Sequence, residues 1–302
     1  MSRASAGGRF PAAPAWRALA RRVGLGLPTV FGLARRGFFI PYRYADRLPA
    51  AQAPYAAIEA LFAARTDGFA AAVDELAAFA GDLAAIGADP PPAPRWDQDW
   101  FPRLDAAVAY ATVRRLRPAR IVEVGSGHST RFLARARHDG GLSTRITAID
   151  PAPRAAIESL PIETVRAPVP DVGLAPFADL AAGDILFVDS SHILMPGSDV
   201  DFLLNRVAPD LADGVLLHLH DIFLPDDYPP EWRWRGYNEQ LAVIPLLLGG
   251  GWKAVFASHY VATRMHGRVA AGRLRLPPIA AGARESSLWL ERRRDHAPFT
   301  NI

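Results

Sequence analysis

The stretch that most constrains this fold is Arg120–Gly127, a short apolar run that ends in Glu123, Gly125, Ser126 and Gly127. His128-Ser129-Thr130 and an apolar-periodic segment follow, so the order predicts a buried strand, a tight turn and the start of a helix. Glycines accept unusual backbone dihedrals and let a ligand approach the main chain. The first N–H groups of a helix have no partner within it, and Ser129 or Thr130 can cap it. The stretch therefore predicts a nucleotide-type cofactor site.

Short apolar runs alternate with helical patterns from residue 95 onward. The predicted strands are 120–125, 145–150, 163–167, 184–189, 214–220, 252–258 and 286–292. The predicted helices are 104–116, 129–138, 153–159, 200–211 and 238–249, after a helical pair at 54–65 and 68–86. Such alternation is typical of an α/β fold with a doubly wound, mostly parallel, Rossmann-like sheet, here of seven strands. Ligands of such sheets bind beyond the carboxyl ends of the strands.

Asp150 ends the second predicted strand, where a carboxylate can accept hydrogen bonds from both hydroxyls of a ribose. The alternative is a helix cap for residues 153–159, which Pro151 would favour. The glycine turn upstream favours the ribose.

The cofactor follows from two departures from the dinucleotide-binding pattern. That pattern has a third glycine where this chain has Thr130, and here Glu123 precedes the glycines. Glu123-x-Gly125-x-Gly127 resembles motif I of class I S-adenosylmethionine-dependent methyltransferases. The resemblance covers residues 95–302 and implies S-adenosyl-L-methionine as cofactor, with Glu123 near the amino end of its methionine moiety. The expected cofactor site is completed by Gly125, Ser126, Gly127, Ser129, Thr130, Asp150 and Asp189.

Three segments are similar to a narrower bacterial branch, the methyltransferase-24-like proteins: Ile121–Thr130, Val188–His192 and His218–Asp221. That branch is related to metal-dependent O-methyltransferases and to cephalosporin-hydroxylase-like proteins. Phe101–Asp105 and Tyr110 also fit it, which implies that they close over the methionine end of the cofactor. For Tyr110, packing within a helix is an equal alternative.

The predicted reaction site lies at the ends of the fourth and fifth strands. Asp189, His192, His220 and Asp221 follow neighbouring strands, whose ends lie ~5 Å apart in a parallel sheet. Asp189, His220 and Asp221 are ligand types for a divalent cation, and related metal-dependent enzymes place acidic residues there. His220 replaces one of those carboxylates, so Mg²⁺, Mn²⁺ and Fe²⁺ all remain candidates. His192 is the expected general base on a substrate hydroxyl, with Asp189 beside it.

Residues 222–237 form a long aromatic and proline-rich loop, and loops of this length are usually functional. We expect Tyr228, Trp232 and Trp234 to form a lid over the acceptor; a surface hairpin is the alternative. Asn238 is the expected cap of the next helix, and Glu239 could reach the site. His218 is expected to pack within the sheet.

The charge distribution excludes a basic nucleic-acid-binding face. Eight arginines precede the first acidic residue, Asp46, so the rest of a chain whose net charge is +3 is negative. Residues 1–48 are therefore expected to be a basic arm, either a partly disordered leader or a contact with a membrane surface. Residues 49–94 are expected to be a helical extension and a proline-rich linker, and residues 95–302 the methyltransferase domain. The absence of cysteine excludes a thiolate site or a catalytic thiol.

The favoured function is O-methylation of a small hydroxylated metabolite, such as a sugar or a secondary metabolite. The expected enzyme is bacterial and cytoplasmic, with the basic arm as the candidate for a peripheral membrane contact. One alternative is a hydroxylase-like metalloprotein in which His218, His220 and a carboxylate hold iron. Another is a membrane-associated partner protein that keeps the cofactor fold without turnover.

Overall fold

Seven strands form one sheet in the order β3-β2-β1-β4-β5-β7-β6. The computed structural model describes residues 15–49, 51–153, 155–271 and 276–293. The strands are β1 (Arg120–Val124), β2 (Arg145–Ile149), β3 (Glu163–Val165), β4 (Ile185–Val188), β5 (Leu216–Leu219), β6 (Trp252–Ala257) and β7 (Leu288–Arg292). β1 to β5 pair in parallel, whereas β7 lies antiparallel between β5 and β6. The predicted α/β fold class is confirmed.

The central strands are short apolar runs because helices cover both faces of the sheet. All four residues of β4 and all four of β5 are buried. The parallel pairing brings the carboxyl ends of β1, β2, β4 and β5 to one edge. That edge is where the predicted site residues lie.

Twelve α-helices are found among the described residues. They are α1 (Ala15–Val30), α2 (Ala56–Ala63), α3 (Thr66–Glu75), α4 (Ala80–Ala85), α5 (Arg103–Leu116), α6 (His128–Asp139), α7 (Val169–Val172), α8 (Ala175–Ala178), α9 (Asp199–Phe202), α10 (Glu239–Leu248), α11 (Ser258–Arg264) and α12 (His266–Ala271). A π-helical turn and a 3₁₀ turn continue α9 to Asp210, which completes the helix predicted over 200–211.

The prediction of a helix over residues 153–159 is wrong for the described part of that segment, which forms turns and bends. Pro151 and Pro153 lack the N–H groups that a helix would use. The Asp150 carboxylate instead accepts a hydrogen bond from the Ala152 N–H at 2.7 Å, a local turn that competes with helix formation.

The chain divides into two compact units. One comprises the N-terminal residues to Ala53 together with Pro229–Gly236, and the other comprises Pro54–Tyr228 with the residues from Tyr237 onward. The first unit contains α1 and a 3₁₀ turn at Pro230–Arg235. The sheet and helices α2 to α12 belong to the second unit. The domain boundaries expected after residues 48 and 94 stay predictions.

Candidate active site

A cavity of about 530 Å³ lies at the carboxyl ends of β1, β2 and β4. This volume is in the range of small-molecule and cofactor sites. Its walls include five residues expected at the cofactor: Gly125, Ser126, Gly127, Asp150 and Asp189. The topology thus collects residues from three strand ends at the place where doubly wound sheets bind ligands.

Glycine occurs at the two positions of the turn for different structural reasons. Gly125 has a φ of +82°, and a Cβ there would lie 1.8 Å from the main-chain oxygen of Asp189. Gly125 is therefore required by the close approach of the chain that leaves β4. Gly127 is extended, and a Cβ there would meet no atom within 4 Å. The open space expected beside the turn lies at Gly127.

Asp150 ties the turn to the end of β2. Its Oδ2 accepts hydrogen bonds from the N–H of Ser126 at 2.7 Å and from the Ser126 hydroxyl at 3.1 Å. Its Oδ1 accepts from Ala152, so both oxygens have partners within the chain. Because Asp150 also lines the cavity, it combines a structural role in the turn with a position from which a ribose can be reached.

The residues that line the cavity do not include Glu123, Ser129 or Thr130. Glu123 is fully buried, and its Oε1 accepts a hydrogen bond from the Ser129 hydroxyl at 2.7 Å. Its Oε2 is buried without a hydrogen-bond partner. Burial raises the pKa of Glu123 to about 8. Thr130 accepts from the Gly127 N–H at 2.9 Å, so these residues shape the turn.

The cavity also has walls that the sequence motifs did not indicate. Trp100, His128 and Asp199 are among its lining residues, as is the segment Pro168–Pro170. Burial, with Arg131 and Arg95 nearby, lowers the pKa of His128 to about 4. His128 directly follows the glycine turn, which was the one signal in the sequence that could have indicated it.

Two histidines and two aspartates alternate in a cluster beside this cavity, and we call it the reaction cluster: Asp189, His192, His220 and Asp221. The Asp189 Oδ1 atom lies 3.4 Å from the Nε2 of His192 and 3.4 Å from the Nδ1 of His220. Asp221 contacts the same two nitrogens, at 3.4 Å and 3.5 Å. These four residues lie together in the structure, as predicted. Asp189 also lines the cavity, so it joins the cavity to the reaction cluster.

Each imidazole is held from its other side by a buried carboxylate. The Nδ1 of His192 lies 2.8 Å from the Oε2 of Glu239, the first residue of α10. The Nε2 of His220 lies 3.4 Å from the Oδ2 of Asp105, a residue of α5 that is fully buried. Asp105 also accepts from the N–H groups of Ser286 and Ser287, both at 3.0 Å. These carboxylates fix the orientation of both rings.

The backbone at two members of the cluster is strained. His192 has a φ of +61° and Asp221 a φ of +54°, and among the described residues other than glycine only Arg117 shares this region. The carbonyl of His192 accepts from the N–H groups of Asn238 and Glu239, at 3.1 Å and 3.3 Å. Such strain persists only where the surroundings enforce it, and it is concentrated at functional sites.

Asn238 is the N-cap residue of α10, as expected, but its side chain does not cap the helix. The helix has no side-chain cap, and the Asn238 Oδ1 accepts from the N–H of Leu194 at 2.6 Å. The amide is used to fasten the loop that follows His192.

The charges of the reaction cluster support one another. Burial alone would lower the pKa of His192, but the contact with Asp189, the hydrogen bond with Glu239 and the charge of Asp221 raise it well above the usual value. Burial opposes the charged form of His220 as well, and the charges of Asp189 and Asp221 raise its pKa. Burial would raise the pKa of Asp189, yet the two imidazoles bring it far below the ordinary range. Burial raises the pKa of Glu239.

His218 and Tyr110 pack away from the cluster. The His218 ring stacks on Phe187 with centroids 3.7 Å apart, and its Nε2 lies 2.9 Å from the Ser287 hydroxyl. The Tyr110 hydroxyl donates to Asp139 at 2.7 Å. His218 therefore packs in the sheet as expected, and Tyr110 takes the alternative role of a packed helix aromatic.

The residues expected to form a lid fall in different units. Tyr228 is buried in the second unit, where its hydroxyl accepts from the Gln240 N–H at 3.3 Å. Trp232 and Trp234 lie in the first unit, and the Arg235 guanidinium is 3.8 Å from the Trp232 ring centroid. A different aromatic ring, that of Tyr237, lies against His192, at 4.6 Å between centroids. The lid stays a prediction.

No group of three or more histidine or acidic side chains in the described ranges has the arrangement of a metal-ion site. The contacts within the reaction cluster are all 3.4 to 3.5 Å, longer than good hydrogen bonds.

Residues 122–222 match a family model described as a methyltransferase domain, a span that runs from β1 to the residue after Asp221. No curated protein sequence matches the chain. Among solved structures, a methyltransferase of Podospora anserina bound to S-adenosylhomocysteine, PaMTH1, is 14% identical with a TM-score of 0.41, over 85% of this chain and 100% of that one.

Two further solved structures are similar to the same low degree. The MycE methyltransferase of the mycinamycin pathway, in complex with Mg, S-adenosylhomocysteine and mycinamycin VI, is 16% identical with a TM-score of 0.40, over 100% of this chain and 70% of that one. A branched-chain polyamine synthase of Thermus thermophilus is 14% identical with a TM-score of 0.40, over 72% and 64%. At these values, neither an acceptor nor a metal can be transferred to this chain.

Proposed function

We propose that this chain, a class I S-adenosylmethionine-dependent methyltransferase by its sheet and by the family match of residues 122–222, methylates a hydroxyl group of a small metabolite. A sugar or a secondary metabolite is the class we favour. One observation carries the proposal: Asp189 borders the cofactor cavity and contacts both imidazoles of the reaction cluster. A methyl donor in the cavity would therefore lie beside a group that can accept a proton.

The cofactor is expected to lie along the glycine turn. Asp150 is placed for the ribose hydroxyls, and the open space at Gly127 leaves room for the cofactor against the main chain. Glu123 holds the first turn of α6 through Ser129, and its other carboxylate oxygen has no hydrogen-bond partner. Trp100 and His128 supply further walls.

The transfer needs a nucleophile in line with the sulfonium methyl group. The acceptor oxygen forms the new C–O bond as the S–C bond breaks, and S-adenosylhomocysteine leaves with the electron pair. The hydroxyl proton passes to the Nε2 of His192, while Glu239 holds the Nδ1 proton and stabilises the imidazolium. The raised pKa makes the neutral imidazole a strong base, so turnover is expected to increase toward alkaline pH.

The reaction cluster holds side-chain types that suit a divalent cation, although in this structure they are not spaced as in a metal site. It combines two carboxylates with imidazoles whose distal nitrogens face Glu239 and Asp105, the support that metal-bound histidines normally have. Asp189, His220 and Asp221 would hold the ion, with Mg²⁺, Mn²⁺ and Fe²⁺ as candidates. A bound cation would supply Lewis acidity that lowers the pKa of a coordinated hydroxyl.

Calorimetry with S-adenosylmethionine, followed by a screen of hydroxylated metabolites for release of S-adenosylhomocysteine, tests this function. We expect one cofactor site and acceptor-dependent release. The screen is run with and without Mg²⁺ and Mn²⁺ and after chelation. A His266→Gln variant, altered at an exposed histidine, serves as the control for His192→Gln. Absence of cofactor binding would overturn the proposal, and so would full activity of His192→Gln.

A further inference from the structure

Helix α1 presents five large apolar side chains along one face, and solvent reaches all of them. They recur at intervals of three or four residues, the spacing of one helix face: Trp16, Leu19, Val23, Leu27 and Val30. Their exposed fractions run from 46% to 64%. A helix of a globular protein normally buries such a face against its core, so α1 has a surface that is suited to a partner outside the chain.

The residues after α1 continue this exposed apolar surface. Phe31, Leu33, Phe38, Phe39 and Ile40 are all exposed, Leu33 to 79%. Scattered apolar residues are normal on a protein surface, whereas a concentration of them marks an interaction site. Within the basic arm that was expected over residues 1–48, we now use the word arm for residues 15–44 alone.

The charge of the arm points to the chemistry of its partner. Exposed arginines interrupt the apolar surface at positions 21, 22, 35, 36 and 43. No acidic residue occurs before Asp46. An interfacial helix combines a basic polar face with Trp, Phe and Leu on the other, and it binds anionic lipid through both.

We propose that the arm binds the surface of an anionic lipid bilayer, with α1 in the plane of the interface. The apolar face would enter the boundary between headgroups and acyl chains, while the arginines would contact lipid phosphates. The cytoplasmic leaflet carries the negative surface potential that attracts such basic segments. Among the described helices, none combines the length and the hydrophobicity of a membrane span.

The charge of the arm also favours an anionic bilayer over a second copy of the arm as its partner. Two arms joined through their apolar faces would bring arginines of like charge together, with no carboxylate before Asp46 to balance them. Anionic lipid supplies that missing charge.

Vesicle flotation of the full-length protein tests the proposal. Vesicles of phosphatidylcholine alone are compared with vesicles that also contain phosphatidylglycerol, at low and high salt. We expect salt-sensitive binding to the anionic vesicles. Arg21→Glu/Arg22→Glu should weaken that binding roughly 20-fold or more, and Val23→Glu/Leu27→Glu should abolish it. Leu174→Glu/Leu241→Glu, altered at two exposed leucines of the second unit, should bind like the wild type.

Each variant is first checked for wild-type binding of S-adenosylmethionine, which shows that the second unit is folded and keeps this test separate from that of methyl transfer. Equal flotation of wild type and both arm variants would overturn the proposal. So would the absence of vesicle binding in a protein that light scattering shows to be a dimer and that Val23→Glu/Leu27→Glu converts to a monomer.

Discussion

The Nδ1 of His192 lies 2.8 Å from the Oε2 of Glu239, although 47 positions separate the two residues. The N–H groups at the start of α10 bind the carbonyl of the same histidine. One helix end therefore fixes both the backbone and the ring of His192. In the proposed reaction, this contact turns the Nε2 toward the hydroxyl that loses its proton.

Glu239→Gln tests this positioning role. The amide cannot stabilise an imidazolium as the carboxylate does, so we expect kcat to fall on the order of 100-fold while the affinity for S-adenosylmethionine stays unchanged. Steady-state kinetics and calorimetry separate the two effects. Glu158→Gln, at an exposed carboxylate, is the matched control. A loss of cofactor affinity equal to the loss of kcat would argue for general disruption instead.

The two glycines of the turn should respond differently to alanine. Gly125→Ala places a Cβ 1.8 Å from the Asp189 oxygen at a φ of +82°, so we expect a loss of at least about 3 kcal/mol in the free energy of unfolding. Gly127→Ala meets no neighbouring atom, so stability should change by less than about 0.5 kcal/mol while cofactor binding weakens. Denaturant unfolding and calorimetry measure both quantities. Equal destabilisation by the two changes would contradict this account of the turn.

Asp150→Ala should weaken cofactor binding roughly 10- to 100-fold. The change removes a charged acceptor from the cavity and also the hydrogen bonds to Ser126. Titration with S-adenosylhomocysteine gives the affinity. Asp179→Ala, at an exposed position outside the cavity walls, should bind like the wild type. An unchanged affinity in Asp150→Ala would exclude Asp150 from the cofactor site.

Glu123 should make stability depend on pH. Its pKa is about 8 in the folded protein against 4.5 as the ordinary value, so the folded state holds the proton more tightly than the unfolded state. The stabilisation is complete below pH about 4.5 and is lost as pH rises to about 8, which amounts to roughly 4–5 kcal/mol. Glu123→Gln should flatten the unfolding free energy across this window.

Unfolding by urea at several pH values measures that slope. Glu75→Gln, at a half-exposed carboxylate, should keep the wild-type pH dependence. A Glu123→Gln curve parallel to the wild type would show that Glu123 does not set it.

The sheet could be predicted well from the sequence because its strands are contiguous apolar runs with turn-forming residues at their ends. Asp189, His192, His220 and Asp221 could be placed together because parallel strands end at one edge. The helix over residues 153–159 was wrong because Pro151, Pro153 and the Asp150 side chain favour turns.

The buried carboxylates that contact the two imidazoles could not be predicted from the sequence. Asp105 and His220 are 115 positions apart and meet only through the packing of α5 on the sheet. Asp105 lies in the first turn of α5, where an acidic residue is common for reasons of helix stability. Nothing in the local sequence therefore shows that this carboxylate contacts a histidine. Glu239 could be predicted only as a possible neighbour of the site. The strained backbone at His192 brings the two residues together, and no local sequence pattern indicates that strain.

Single-turnover methyl transfer, with labelled S-adenosylmethionine and an acceptor found in the screen, tests the central claim most directly. The wild type should pass the label to the acceptor, and His192→Gln should do so roughly 10²- to 10⁴-fold more slowly with unchanged cofactor affinity. Equal rates in the two proteins, or no transfer of label by the wild type, would contradict the account.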